Sequence, residues 1–243
     1  MSNLPLLNAP TYFLEIPSTK KKIKYRPFLV REEKILLIAL QEDDFEVILN
    51  SIKDIIKGCT FGEVNVEKLA MADIEFIFLN IRKISKGPEV DLEFKCLADV
   101  GEDKHECGNV VSITYNLDNI KISEGHDPKI IIEDTTNTGI VLKIPSIDVS
   151  EALQEAVQEG NIDKLFSTTY DYVDYMFQGE QIFDNFTKEE FSEWLDLLSP
   201  EQYFKISDFF RNVPKLYDDI DVECSACKSK HTIRLEGLRS FLA

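Results

Sequence analysis

The sequence is short of basic residues, histidine and long apolar runs, and each shortage excludes something. Lys and Arg number 27 against 44 Asp and Glu, giving a formal charge of −17 and a pI near 4.6. A chain of that sign is a poor sequence-independent binder of nucleic acid, whose affinity comes from cations neutralising phosphates. No stretch of eighteen apolar residues occurs, so no membrane span is expected. The three histidines, His105, His126 and His231, are too few for a histidine-rich catalytic centre. No glycine-rich phosphate loop, G-x-S-x-G or H-E-x-x-H motif is present. The acidic pairs have no spacing that marks acid–base catalysis, and a non-enzyme is expected. The opening residues have no basic segment leading into an apolar core, and with five cysteines this predicts a reducing compartment rather than disulfides.

What is present is 44% hydrophobic residues, with sixteen Phe and eight Tyr, enough to build a core from 243 residues. Four of the five cysteines carry the most specific chemical signal. Cys224-Ser-Ala-Cys227 places two thiolates where one cation can take both, and a tetrahedral zinc then needs two more soft ligands. Cys96 and Cys107 offer them, from a polar loop between strand-like runs at 88–95 and 110–117. Gly108 follows Cys107 and permits the tight turn of a knuckle. The wider spacing of this pair reads as a knuckle whose turn is expanded by Asp99-Val-Gly-Glu-Asp-Lys-His105. The shell consists of four cysteines, or of three with His105 or His231. Two alternatives stay open: a redox pair, disfavoured because no helix signal follows Cys227, and cysteines that are relics of a site that no longer binds metal or form half-sites that stay separate. Cys59 reads as a small buried residue.

The pattern predicts an α+β fold: helices around a small, largely antiparallel sheet, a zinc-ribbon-like pair of β-hairpins, and a helical C-terminal half. Three regions are expected. Residues 1–146 form an α+β region carrying the Cys96/Cys107 hairpin, 147–214 a helical region, and 215–243 a C-terminal hairpin packing back on the first. Strands are expected at 11–16, 23–30, 129–133, 139–144 and 231–235. Helices are expected over 31–57, with a cap at Asp43 or Asp44 and an end at Gly58, and over 66–86. Ala152, Leu153, Ala156 and Val157 are expected to make one short amphipathic helix face, broken at Gly160-Asn161, and a further helix is expected from Ile162 to Phe177. Thr187-Lys-Glu-Glu190 has the form of a capping box, and Ser199-Pro-Glu-Gln202 starts another helix. Asp73, Glu75 and Arg82 read as solvated charges or a local ion pair. The stripe Tyr203, Phe204, Ile206, Phe209 and Phe210 reads as core.

Four stretches resemble the baseplate hub assembly proteins of T-even-type contractile-tailed phages. They are Ile23-Lys-Tyr-Arg-Pro-Phe-Leu-Val-Arg-Glu-Glu-Lys-Ile-Leu-Leu, Val66-Glu-Lys-Leu-Ala-Met-Ala-Asp-Ile-Glu-Phe-Ile-Phe-Leu-Asn-Ile-Arg, the Cys96/Cys107 segment, and Phe209-Phe-Arg-Asn-Val-Pro-Lys-Leu leading into the second cysteine pair and Leu235-Glu-Gly-Leu-Arg-Ser-Phe-Leu. The resemblance implies a non-enzymatic protein that builds the central hub of a tail baseplate through contacts with hub or tail proteins. Its zinc would be structural, and its place the host cytoplasm during assembly or the virion itself. A second reading is a regulatory zinc-ribbon module that binds a host protein complex.

Overall fold

The structure is a computed structural model that describes residues 9–42, 44–100, 105–145 and 168–241, with the side chains of His105 and Arg239 excepted. The chain divides into two compact units. Residues 1–66, 72–123 and 215–243 form the first, and 67–71 with 124–214 the second.

The first unit opens with the antiparallel hairpin β1 (Tyr12–Glu15) and β2 (Lys22–Tyr25). Helix α1 (Val30–Glu42) and helix α2 (Phe45–Cys59) follow. Asp44 caps α2 by accepting the N–H groups of Glu46 and Val47. Ile48, Leu49, Ile52, Ile55, Ile56 and Cys59 make its buried face, the spacing of a single helical stripe. The helix runs one residue past Gly58 and is capped by Thr60. A buried node ties these elements together. Arg26 Nη2 meets Glu32 Oε1 at 3.0 Å and the carbonyl of Gly58 at 3.2 Å, while Leu29 N–H donates to Glu32 Oε2 at 2.7 Å. Burial alone would raise the Glu32 carboxyl, but hydrogen bonds from Arg26, Arg31 and Leu29 outweigh it and hold the group at about 2.

Helix α3 (Met71–Lys86) is buried on most of its faces, as its all-round apolar pattern predicts. Asp73 and Glu75 are not solvated charges: both are buried. The Asp73 carboxylate accepts the N–H and hydroxyl of Ser18. Glu75 accepts the N–H of Leu238 at 3.0 Å and that of Leu216.

Strand β3 (Glu89–Lys95) leads to two short strands, β4 (Asp99–Val100) and β5 (His105–Glu106), and then to β6 (Val110–Asn116). β3 pairs with β6 and β4 with β5, all antiparallel. β7 (Lys121–Ile122) completes this part of the unit.

The second unit contains β8 (Lys129–Glu133), β9 (Thr138–Leu142), β10 (Val173–Gln178) and β11 (Gln181–Phe183), in the sheet order β11-β10-β9-β8. Helices α4 (Lys188–Asp196) and α5 (Pro200–Arg211) each start with a full capping box, Thr187 with Glu190 and Ser199 with Gln202. Ile132, Ile140 and Leu142 of the sheet pack with Phe191 and Leu195 of α4 and Ile206 and Phe209 of α5. Phe204 departs from the expected stripe: it is exposed, with Arg211 over its ring. The chain then returns to the first unit as β12 (Leu216–Glu223) and β13 (Lys230–Glu236), with β7 on the far side of β12.

This corrects two expectations. The strands form several separate antiparallel sheets rather than one small sheet. The C-terminal half is not helical: beyond residue 168 it holds β10, β11, β12 and β13 as well as two helices. The helix expected over 162–177 is, within the described residues, a short helical turn at 168–170 followed by β10. Its aromatic and β-branched residues favour a pleated surface, and Gly179, at φ 59°, turns β10 into β11. The expected helix face at Ala152, Leu153, Ala156 and Val157 lies outside the described residues. Among the described residues no helix is long and apolar enough to cross a membrane.

Candidate metal centre

Two hairpins of the first unit bring the cysteines together. Cys96 directly follows β3 and Cys107 precedes β6, while Cys224 directly follows β12 and Cys227 precedes β13. The four Sγ atoms all lie within 4.8 Å of one another. Cys96 to Cys227 is 3.6 Å and Cys107 to Cys224 is 3.9 Å. The edge of a tetrahedron with metal–sulfur bonds of about 2.3 Å is about 3.8 Å, close to these two separations.

The two pairs are built alike despite their unequal spacing. Cys224 N–H donates to Ser229 O at 2.9 Å, and Lys228 N–H returns to Cys224 O at 2.9 Å. Cys96 N–H donates to Asn109 O at 2.8 Å, and Gly108 N–H returns to Cys96 O at 2.9 Å. The residue after the second cysteine is left-handed in both, with φ 67° at Gly108 and 63° at Lys228. Each sulfur also accepts the backbone N–H two residues on, from Ala98, Asn109, Ala226 and Ser229. The insertion that separates Cys96 from Cys107 closes on itself. Asp99 pairs with Glu106, and Cys107 N–H meets Ala98 O at 2.8 Å. The expanded pair is therefore a knuckle with a small hairpin grown out of its turn. Asn109 joins the two knuckles, its Nδ2 donating to Cys224 Sγ at 3.5 Å and to Ser225 Oγ at 3.2 Å.

Charge within the cluster is shared unequally. Cys224 is pulled down to about 6 by the N–H of Cys227, aided by Ala226 and opposed by burial. Cys227 is lowered by the hydroxyl and N–H of Ser229. At Cys96 the Ala98 N–H favours thiolate, but burial and the neighbouring sulfurs prevail and push it up to about 12. Cys107 is raised in the same way, burial and two sulfurs outweighing the Asn109 N–H. Proton binding alone thus favours thiolate at Cys224 and Cys227 and thiol at Cys96 and Cys107, because four negative sulfurs so close repel one another. A bound dication is what allows all four to ionise, and the donor set fits zinc.

His231 Nε2 lies 3.2 Å from Cys96 Sγ, outside the group of four mutually adjacent sulfurs. That position suits a hydrogen bond to a metal-bound sulfur. The His105 side chain lies outside the described residues. Cys59 is buried elsewhere, beside Arg26, and burial pushes its thiol up to about 11. Sequence reasoning missed the Arg26–Glu32 node and the two buried carboxylates of α3, because only the fold takes those charges out of water.

A family model described as T4 bacteriophage base plate protein matches residues 9–243. No curated protein and no solved structure matches the chain.

Proposed function

Because this chain belongs to the T4 bacteriophage base plate protein family, we propose that it is a non-enzymatic component or assembly factor of the baseplate's central hub. It acts by docking onto other hub or tail proteins. The observation that carries the non-enzymatic reading is the closed sulfur shell: four cysteines of matched geometry leave no open position for a substrate at a bound metal. Cys96, Cys107, Cys224 and Cys227 would hold zinc, which would supply a rigid cross-link and no reaction. The cross-link joins positions 131 residues apart and restricts the unfolded chain accordingly.

Protein docking is further supported by α1, which exposes Val30, Ile35, Leu37 and Ile38 while burying only Glu32 and Ala39. Four large apolar side chains left in water on one helix are the kind of surface a protein partner covers. The test is quantitative mass spectrometry of mature particles and infected-cell lysate. A fixed copy number in particles makes the chain a hub component. Presence with tail proteins in lysate alone makes it an assembly factor. Absence from tail-protein complexes in both refutes the proposal.

A further inference from the structure

Two surfaces of this chain have opposite charge and matching apolar content, and they lie in different units. The first is the β1–β2 hairpin. Phe13 is 72% exposed and pairs across the strands with Lys24, while Lys22 pairs with Glu15 on the same face. Lys20 and Lys21 extend the basic surface into the turn, beyond Lys22 and the Glu15 opposite it. Lys24 Nζ sits 5.6 Å from the centre of the exposed Phe61 ring. The hairpin is thus a cationic surface carrying aromatic rings, in a chain of net charge −17.

The second surface is a recess of about 320 Å³ in the other unit, lined chiefly by Met176, Phe177, Phe183, Phe186, Phe191 and Trp194. It is apolar, with Glu190 on its wall and exposed Asp184 and Glu193 beside its lining residues in sequence. Residues 124–214 hold 19 acidic and only 6 basic side chains. β11, which supplies Phe183, is an edge strand exposed along its whole length. Native proteins normally cover or blunt such an edge.

We propose that the chain associates head to tail with a second copy of itself, the Phe13 hairpin of one copy seating in the Trp194 recess of the next. Charge complementarity selects this occupant: the lysines approach the acidic rim while Phe13 leaves water for an aromatic-lined recess. The two surfaces differ, so the contact is heterologous and propagates into a ring or a chain of copies. The inference goes beyond the baseplate reading and does not depend on the metal.

Trp194 is the only tryptophan, so its emission reports on the recess directly. The full-length chain is followed by sedimentation and by fluorescence over a concentration series at low and high salt. Association is expected to rise with concentration, weaken with salt, and shift Trp194 emission to the blue. Phe13→Ser, and separately Lys22→Glu with Lys24→Glu, should each weaken it by roughly tenfold or more, as loss of a central anchor does. Mixing the Lys22→Glu/Lys24→Glu chain with an Asp184→Lys/Glu193→Lys chain should restore it, because each then meets an opposite charge. A chain that stays monomeric at every concentration overturns the proposal. So does association indifferent to Phe13→Ser, or a monomer whose hairpin binds only a foreign acidic protein.

Discussion

Cys96 and Cys227 are 131 residues apart in sequence and 3.6 Å apart at sulfur. Both belong to a shell built by two hairpins whose backbone hydrogen bonds correspond one to one. Purified chain should carry one zinc, measurable by elemental mass spectrometry. Replacing Cys224 and Cys227 with Ser, or stripping the metal with a chelator, should cost more than about 3 kcal/mol in urea unfolding. A metal-free wild-type chain of unchanged stability would refute structural zinc.

Glu75 gives a prediction of the opposite pH sense to the usual acidic residue. Burial first, against the N–H groups of Leu216 and Leu238, pushes its carboxyl up to about 7. In the unfolded chain it loses its proton near 4.5. Between those values the native state binds the extra proton, so this group's contribution makes stability fall as pH rises from about 4.5 to about 7. The full effect is roughly 3 kcal/mol. Glu75→Gln should flatten that slope relative to wild type in urea melts across the window. Parallel curves for the two proteins would count against it.

Arg26 and Glu32 behave in the ordinary sense. Glu32 is held at about 2, so its stabilisation is present above the unfolded value of 4.5 and disappears as pH falls toward 2. Arg26→Ala leaves a buried carboxylate without its main partner and should cost about 3–5 kcal/mol by chemical denaturation at neutral pH.

Gly139 of β9 faces Phe177 of β10, and here only glycine fits. A Cβ would stand 2.3 Å from the Ile130 carbonyl oxygen and 2.4 Å from Phe177 Cζ. Gly139→Ala must push Phe177 or β8 aside and should cost about 2–4 kcal/mol. The loss should be accompanied by a change in emission from Trp194, which lines the same recess as Phe177.

Features that depend on a few neighbouring residues were legible in the sequence. Cys224-Ser-Ala-Cys227 announces a knuckle-like turn because both cysteines and the turn lie within four positions, and Thr187 with Glu190 encodes a helix start for the same reason. The features that escaped depend on distant surroundings. Asp73 and Glu75 look solvated until Ser18, Leu216 and Leu238 reach them from remote segments. Val173–Gln178 is apolar at both helical and alternate spacing, and what makes it a strand is pairing with β9. The exposure of α1 is equally a matter of surroundings: Val30, Ile35, Leu37 and Ile38 stay in water because no other described element covers them.

The first knuckle allows the sharpest separation of metal chemistry from sequence length. Its insertion is a ribbon whose ends already meet, with Asp99 opposite Glu106 and Ala98 O accepting Cys107 N–H. None of its residues supplies one of the four clustered sulfurs. Deleting 99–106 joins Ala98 to Cys107 and creates Cys-Leu-Ala-Cys-Gly, the counterpart of Cys224-Ser-Ala-Cys227-Lys228. Gly108 remains to adopt the left-handed turn, which costs it nothing sterically. The shortened chain should therefore bind one zinc as the full chain does, with a change in stability below about 1 kcal/mol, since shortening a surface loop changes closure entropy only slowly. Zinc content and urea midpoint measure this together. Loss of zinc on deletion would mean that the insertion holds the shell in place, with His105 then the first residue to test by substitution in the full-length chain.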